Sequence, residues 1–188
     1  IFFPETNLPL NVFEPRYIEM IDYSLKKQKK IGMIQTKNKD ELYSTGCVGK
    51  ITSFEQTNDG RYLINLTGQN YFSIKKELSS KKNFRIVEAN LIKLKLKSSS
   101  QDGIGINKVS LLKLYQKFIS QDKDSIDLNL IKDIDASMLV KFIAMTSPFS
   151  AADKQMLLET YDLNKLSENL EILFEYYLSN TKSQKYIN

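Results

Sequence analysis

The chain contains no histidine among its 188 residues. That absence removes Ser-His-Asp and Cys-His catalysis, the usual general base near neutral pH, and most zinc sites together. The one cysteine, Cys47, can form no intramolecular disulfide and no metal cluster, and it suits a reducing compartment. Arginine is scarce as well: Arg16, Arg61 and Arg85 are the full set, and every other cation is lysine. The net charge of +5 invites a nucleic-acid reading. The residue favoured for bidentate phosphate and base contacts is nearly missing, however, and that weakens the reading. No apolar run approaches the roughly 20 residues of a membrane span, and no basic stretch followed by an apolar one opens the chain. The chain begins at Ile1 rather than methionine, so a preceding segment stays open. The expectation is a cytoplasmic protein without a membrane association.

Phosphate and cation motifs are missing too. Neither "TGCVGKI" nor "DGIGINK" has the G-x-x-x-x-G-K-[ST] spacing whose backbone amides cradle a triphosphate. "GIG" at 103–105 follows a linker rather than a strand and is too short for a dinucleotide fingerprint. Asp122, Asp124 and Asp127 in "SQDKDSIDL" lack the central glycine and terminal glutamate of a calcium loop, and read as an acidic inter-helix turn. No serine sits in a glycine-framed nucleophile elbow. The expectation is a non-enzyme that needs no metal and no cofactor.

What is present is a folded composition, 41% hydrophobic and 26% charged. Leu8, Leu10 and Val12 alternate along a strand that runs into Pro15, a residue that can open a helix but not sit inside one. Ile18, Ile21 and Leu25 then recur at helical spacing, and Lys26, Lys27, Lys29 and Lys30 crowd the helix end. "IGMIQ" reads as a short buried strand. "YSTGCVGKITSFEQ" reads as a longer one, with Gly46 and Gly49 marking bulges or close backbone approach. In "TNDGRYLINLTG", Asn58, Asp59 and Gly60 tolerate the positive φ of a tight hairpin. A further strand is expected through "NYFSIKKEL". Another is expected through "IVEANLIKLKLK", where Ile92, Leu94 and Leu96 alternate with Lys93, Lys95 and Lys97.

Residues 98–105, "SSSQDGIG", form the one obvious boundary. Beyond it the period is helical. Leu111, Leu114, Tyr115 and Phe118 make one stripe; Met138, Leu139, Phe142 and Ile143 make a second. Ser150 caps a third helix with Asp153 in its first turn. Leu163, Leu166, Leu170, Leu173, Phe174 and Tyr177 line the last, and the tail after Ser179 reads as polar and frayed. The stripes are wide for so small a bundle, so Leu111, Phe118 and Phe142 are expected to pack partly onto the β half.

"FPETNLPLNVFEPRYIEMI" resembles the opening signature of the Lon substrate-binding domain, the N-terminal module of ATP-dependent Lon proteases, which also occurs as a stand-alone protein. "ELYSTGCVGKITSFEQTNDGRYLINLTGQNYFSI" is similar to the family's "G..G.I" strand, its "DGRY" hairpin and the following strand. "MLVKFIAMTSPFSAADKQMLLETYDLNKLSENLEILFEYYL" resembles its helical close, including the proline-bearing turn and the "KQ.LLE" helix. Two departures stand out. The strand that precedes "FP" in the family is present only as Ile1, Phe2 and Phe3, and the loop at 37–41 is short.

The resemblance implies an α+β fold: a PUA-like β pseudo-barrel with one inserted helix over residues 1–100, then a small helical bundle over 101–188. The chain carries no Walker A motif and no Ser-Lys protease module, so the implied form is stand-alone, bacterial-type and related to proteolysis without performing it. The implied partners are unfolded protein or peptide segments, in an adaptor or holdase role. The alternative is a PUA-like RNA-binding module using the lysines at 26–30 and 93–97. The signature residues Pro9, Phe13, Glu14, Pro15, Arg16, Tyr17, Gly60, Arg61 and Tyr62 read as architectural, with Phe13 and Tyr17 placed to brace the first strand against the helix. Neither the ligand-binding surface nor the oligomeric state follows from the sequence.

Overall fold

The computed structural model describes residues 1–39, 41–94, 105–119 and 133–185. The chain divides into two compact units, Ile1–Lys93 and Leu94–Asn188. The acidic stretch with Asp122, Asp124 and Asp127 and most of the "SSSQDGIG" boundary lie outside the described residues.

The first unit holds five antiparallel strands and one helix: β1 (Asn7–Val12), α1 (Pro15–Leu25), β2 (Lys30–Met33), β3 (Thr45–Gln56), β4 (Tyr62–Leu78) and β5 (Ile86–Leu91). They form an open sheet in the order β1-β4-β3-β2, with β5 paired to the later half of β4. The helix α1 connects the two outer strands of that path, β1 and β2. Pro15 occupies its first turn as expected, where the missing N–H costs nothing. β1 keeps its alternation, with Leu8, Leu10 and Val12 half-buried and Asn7, Pro9 and Asn11 exposed.

β4 departs from the expected pair of strands. It runs unbroken for 17 residues. Its register against β3 slips between Val48↔Asn70 and Gly49↔Gly68, which leaves Gln69 as the extra residue of a bulge. The bulge, and not a break, is what disturbs the alternation there. Gly68 is required by close approach: a Cβ at this position would stand 2.0 Å from the carbonyl oxygen of Phe3. Its own N–H donates to Thr6 O and its carbonyl accepts from Glu5 N, both at 2.9 Å. Phe2 and Phe3 are buried here with Ile21, Ile51, Ile64, Leu66 and Phe72 as the unit's core. At the expected hairpin Gly60 has φ +85, the left-handed region that glycine tolerates.

β5 ends at Leu91, so the alternation of Ile92, Lys93 and Leu94 follows the strand instead of lying on it, and residues 95–97 are outside the described set. The row of lysines expected on one strand face is therefore not built on β5.

Tyr62, buried at the start of β4, donates from its hydroxyl to Asp22 Oδ1 of α1 at 2.7 Å. The Asp22 carboxylate, and then burial, hold the phenol above its ordinary pKa of 10.0. A phenol whose folded pKa is raised contributes stability that is complete below the unfolded value and is lost as pH rises through the folded one. Tyr62→Phe is expected to cost about 1.5 kcal/mol at neutral pH. That deficit should shrink above pH 10.0 as the wild type destabilises, which denaturant titrations of both proteins across alkaline pH will measure.

The second unit holds α2 (Lys108–Ile119), α3 (Ala136–Thr146), α4 (Ala151–Leu158) and α5 (Leu163–Lys185) among the described residues. Asp135 caps α3 by accepting from Met138 N, and Ser150 caps α4 by accepting from Asp153 N. Leu111, Tyr115, Leu139, Ile143, Leu166, Leu170 and Phe174 are buried on the expected stripes. Phe118, Phe149, Phe174 and Tyr177 form an aromatic cluster, with ring centroids 5.2–5.9 Å apart. Phe118 thus has ring partners within its own unit. The last helix also continues past Ser179 to Lys185, where the polar composition had read as a frayed tail.

Candidate functional site

The β-rich unit carries a cleft of ≈ 1170 Å³, built by segments far apart in sequence. The end of β1 and the turn after it supply Val12, Phe13 and Glu14; α1 supplies Arg16, Tyr17 and Met20. β2 and the residue after it add Ile31, Gly32, Met33 and Ile34, and the far half of β4 adds Ile74 and Leu78. The loop before β5 completes the lining with Lys82, Phe84 and Arg85, followed by Ile86 and Val87 of β5 itself. The apolar lining is only partly covered: Phe13 is 61% exposed, Tyr17 38% and Leu78 39%. Of the five cations around this lining, Arg16, Lys82 and Arg85 pair with Glu14, Glu19 and Glu77, and Lys30 and Lys39 add positive charge beside them.

Ion pairs and rings hold the lining in place. Glu14 binds Arg16 at 2.8 Å, and the Arg16 guanidinium lies 4.5 Å from the centre of the Tyr17 ring. Glu19 of α1 ties down the loop before β5 by accepting from Asn83 Nδ2 at 2.8 Å and pairing with Lys82 at 3.1 Å. Those bonds, Lys82 first and Asn83 second, hold the Glu19 carboxyl below its ordinary pKa. Tyr23 packs on Phe84 with ring centroids 5.6 Å apart. Met20 and Met33 contribute flexible, polarizable surface of the kind that adapts to varied partners.

The signature residues divide in two. Phe13, Glu14, Arg16 and Tyr17 come together at the cleft, with Phe13 and Tyr17 standing partly exposed instead of buried as a brace. Gly60, Arg61 and Tyr62 do not line it. Arg61 pairs with Asp59 at 2.8 Å and stabilises the hairpin, and Pro15 starts α1. Pro9 lies on an outer strand. Sequence reasoning missed Met20, Met33, Ile34, Phe84, Ile86 and Val87. One signal was available for Phe84, a large apolar residue within the polar "SSKKNFR". Among the described residues no cluster of three acidic, cysteine or histidine side chains could hold a metal ion, and no helix is long and apolar enough to cross a membrane.

The cleft is open and lined chiefly by apolar side chains. The solved Lon N-terminal domain protein from Xanthomonas campestris has a similar fold, with TM-score 0.60 and 19% identity over 90% of each chain. The N-terminal domain of Lon protease from the Mycobacterium avium complex has TM-score 0.63 and 17% identity over 93% of this chain and 92% of its own. A comparison with curated proteins finds no match. The family model for the ATP-dependent protease La (LON) substrate-binding domain matches residues 1–174, and the chain belongs to that family.

Proposed function

We infer that the chain is the recognition part of an adaptor or holdase, and that its cleft holds exposed apolar segments of unfolded protein without ATP or metal. The observation that carries this reading is the partly exposed apolar lining from Phe13 to Val87, held by its own ion pairs in a member of a substrate-binding family. Residues 1–100 act as the recognition subdomain and 101–188 as its helical partner. The single buried Cys47 fits a reducing, bacterial-type cytoplasm and a place in proteolytic quality control.

Burying ~300–500 Å² of apolar surface at ~25 cal/mol per Å², less the cost of ordering a flexible segment, gives an affinity on the order of micromolar. The test is a titration of the full chain with reduced, carboxymethylated α-lactalbumin, nucleotide omitted. Saturable binding at about 1–100 μM that native α-lactalbumin does not compete for is the expected result. Binding weaker than about 1 mM would remove the mechanism. Competition by a single-stranded RNA with steep salt dependence would instead favour the nucleic-acid alternative.

A further inference from the structure

The outer strand β2 offers its main chain to the cleft. Its register against β3 runs from Lys30↔Lys50 to Met33↔Cys47, and Lys29 O accepts from Ile51 N at 2.8 Å. In an antiparallel ladder, residues that exchange bonds with the neighbour alternate with residues that turn their groups outward. Residues 29, 31 and 33 therefore bond to β3, and Lys30 and Gly32 face the open side. The Lys30 carbonyl fixes this phase, because it accepts from Ser24 Oγ of α1 at 3.1 Å. Gly32 has no such partner among the described residues, is exposed, and lines the cleft.

The other outer strand of the path is closed to the same use. Gly68 N donates to Thr6 O, so the bonded pairs of β1 with β4 fall at residues 6, 8, 10 and 12. Pro9 stands at an outward position with no N–H to offer, a common way to blunt a sheet edge. One edge is thus capped by proline, and the other presents a glycine inside an apolar cleft whose lining adds Lys30 and Lys39 to three cations already paired with Glu14, Glu19 and Glu77.

Building on the cleft as a polypeptide site, we propose that its occupant is an extended segment that adds to β2 as a further strand and bonds the N–H and C=O of Gly32. Alternate side chains of the segment are apolar and enter the cleft, and acidic residues among the others meet its cationic rim. Strand addition draws affinity from main-chain bonds and specificity from the alternating side chains. It would therefore let one site accept segments of unrelated sequence.

The test uses the full chain and a labelled ten-residue peptide in which valine or leucine alternates with threonine or aspartate, methylated at one amide nitrogen at a time. Methylation at the one amide that donates to the Gly32 carbonyl should weaken binding about tenfold, and methylation at either neighbouring amide less than about threefold. On the protein side, Gly32→Pro deletes the outward N–H, whereas Gly32→Ala adds only a Cβ, 3.1 Å from the Phe72 ring edge. The proline variant should bind about tenfold more weakly than the alanine variant. The methylation series decides even if a variant misfolds. If the wild type binds unfolded α-lactalbumin but no one amide of the peptide is sensitive to methylation, or the peptide does not bind, strand addition is overturned and the cleft reading stands. If the wild type binds neither probe, the cleft reading fails and this inference falls with it.

Discussion

Replacing Phe13 and Tyr17 together with serine is expected to weaken binding of unfolded α-lactalbumin about thirtyfold or more while the melting temperature stays within about 2 °C of wild type. Both rings are partly exposed in the free protein, Phe13 at 61% and Tyr17 at 38%, so the folded state loses little packing when they are truncated. A bound segment would cover them, and aromatic anchors in the desolvated centre of an interface carry ~2 kcal/mol or more each. Fluorescence anisotropy gives the affinity and calorimetry the melting temperature. A large loss of stability with unchanged affinity per folded molecule would show that the pair is architectural, as the signature reads from sequence alone.

The second large effect concerns the fold that holds the cleft. Gly68→Ala should destabilise the β-rich unit by about 3 kcal/mol or more, and lower the midpoint of its thermal transition by roughly 10 °C. The added Cβ would stand 2.0 Å from the Phe3 carbonyl oxygen and 3.0 Å from Pro4 Cα, all of it backbone that no rotamer change can move. Relief would require breaking the two hydrogen bonds that Gly68 makes with Thr6 and Glu5. Gly60→Ala is the contrast. Its Cβ meets nothing within 4 Å, so only the positive φ opposes it, at about 1 kcal/mol. Equal effects at the two glycines would contradict this account of the bulge region.

Local chemistry made much of the fold legible. Pro15 at a helix start, Gly60 in a hairpin and Ser150 as an N-cap each act within a few residues, and the structure places each as read. The family signature supplied the order of elements. The misreadings share a different origin. The continuity of β4 depends on its partner β3, which absorbs Gln69 as a bulge, and nothing near Gln69 in sequence announces that. The length of α5 depends on helix continuing through a polar stretch that alone reads as tail. The cleft was illegible for the strongest reason. Phe13, Met33, Ile74 and Ile86 look like ordinary core residues in their own segments, and only the sheet order leaves them facing one opening. Even the "FEPRY" string, easy to find, gave no hint that four of its five residues would line that opening and only Pro15 would serve the helix start.

The most direct measurement is hydrogen–deuterium exchange of the full chain, alone and saturated with unfolded α-lactalbumin. The account predicts slowed exchange in α1, at Gly32 on the edge of β2, and in the segment 79–87, with the hairpin around Gly60 unchanged. Protection confined to the helical unit, or no protection at Gly32 and its neighbours despite saturable binding, would contradict the claim that this cleft receives the polypeptide.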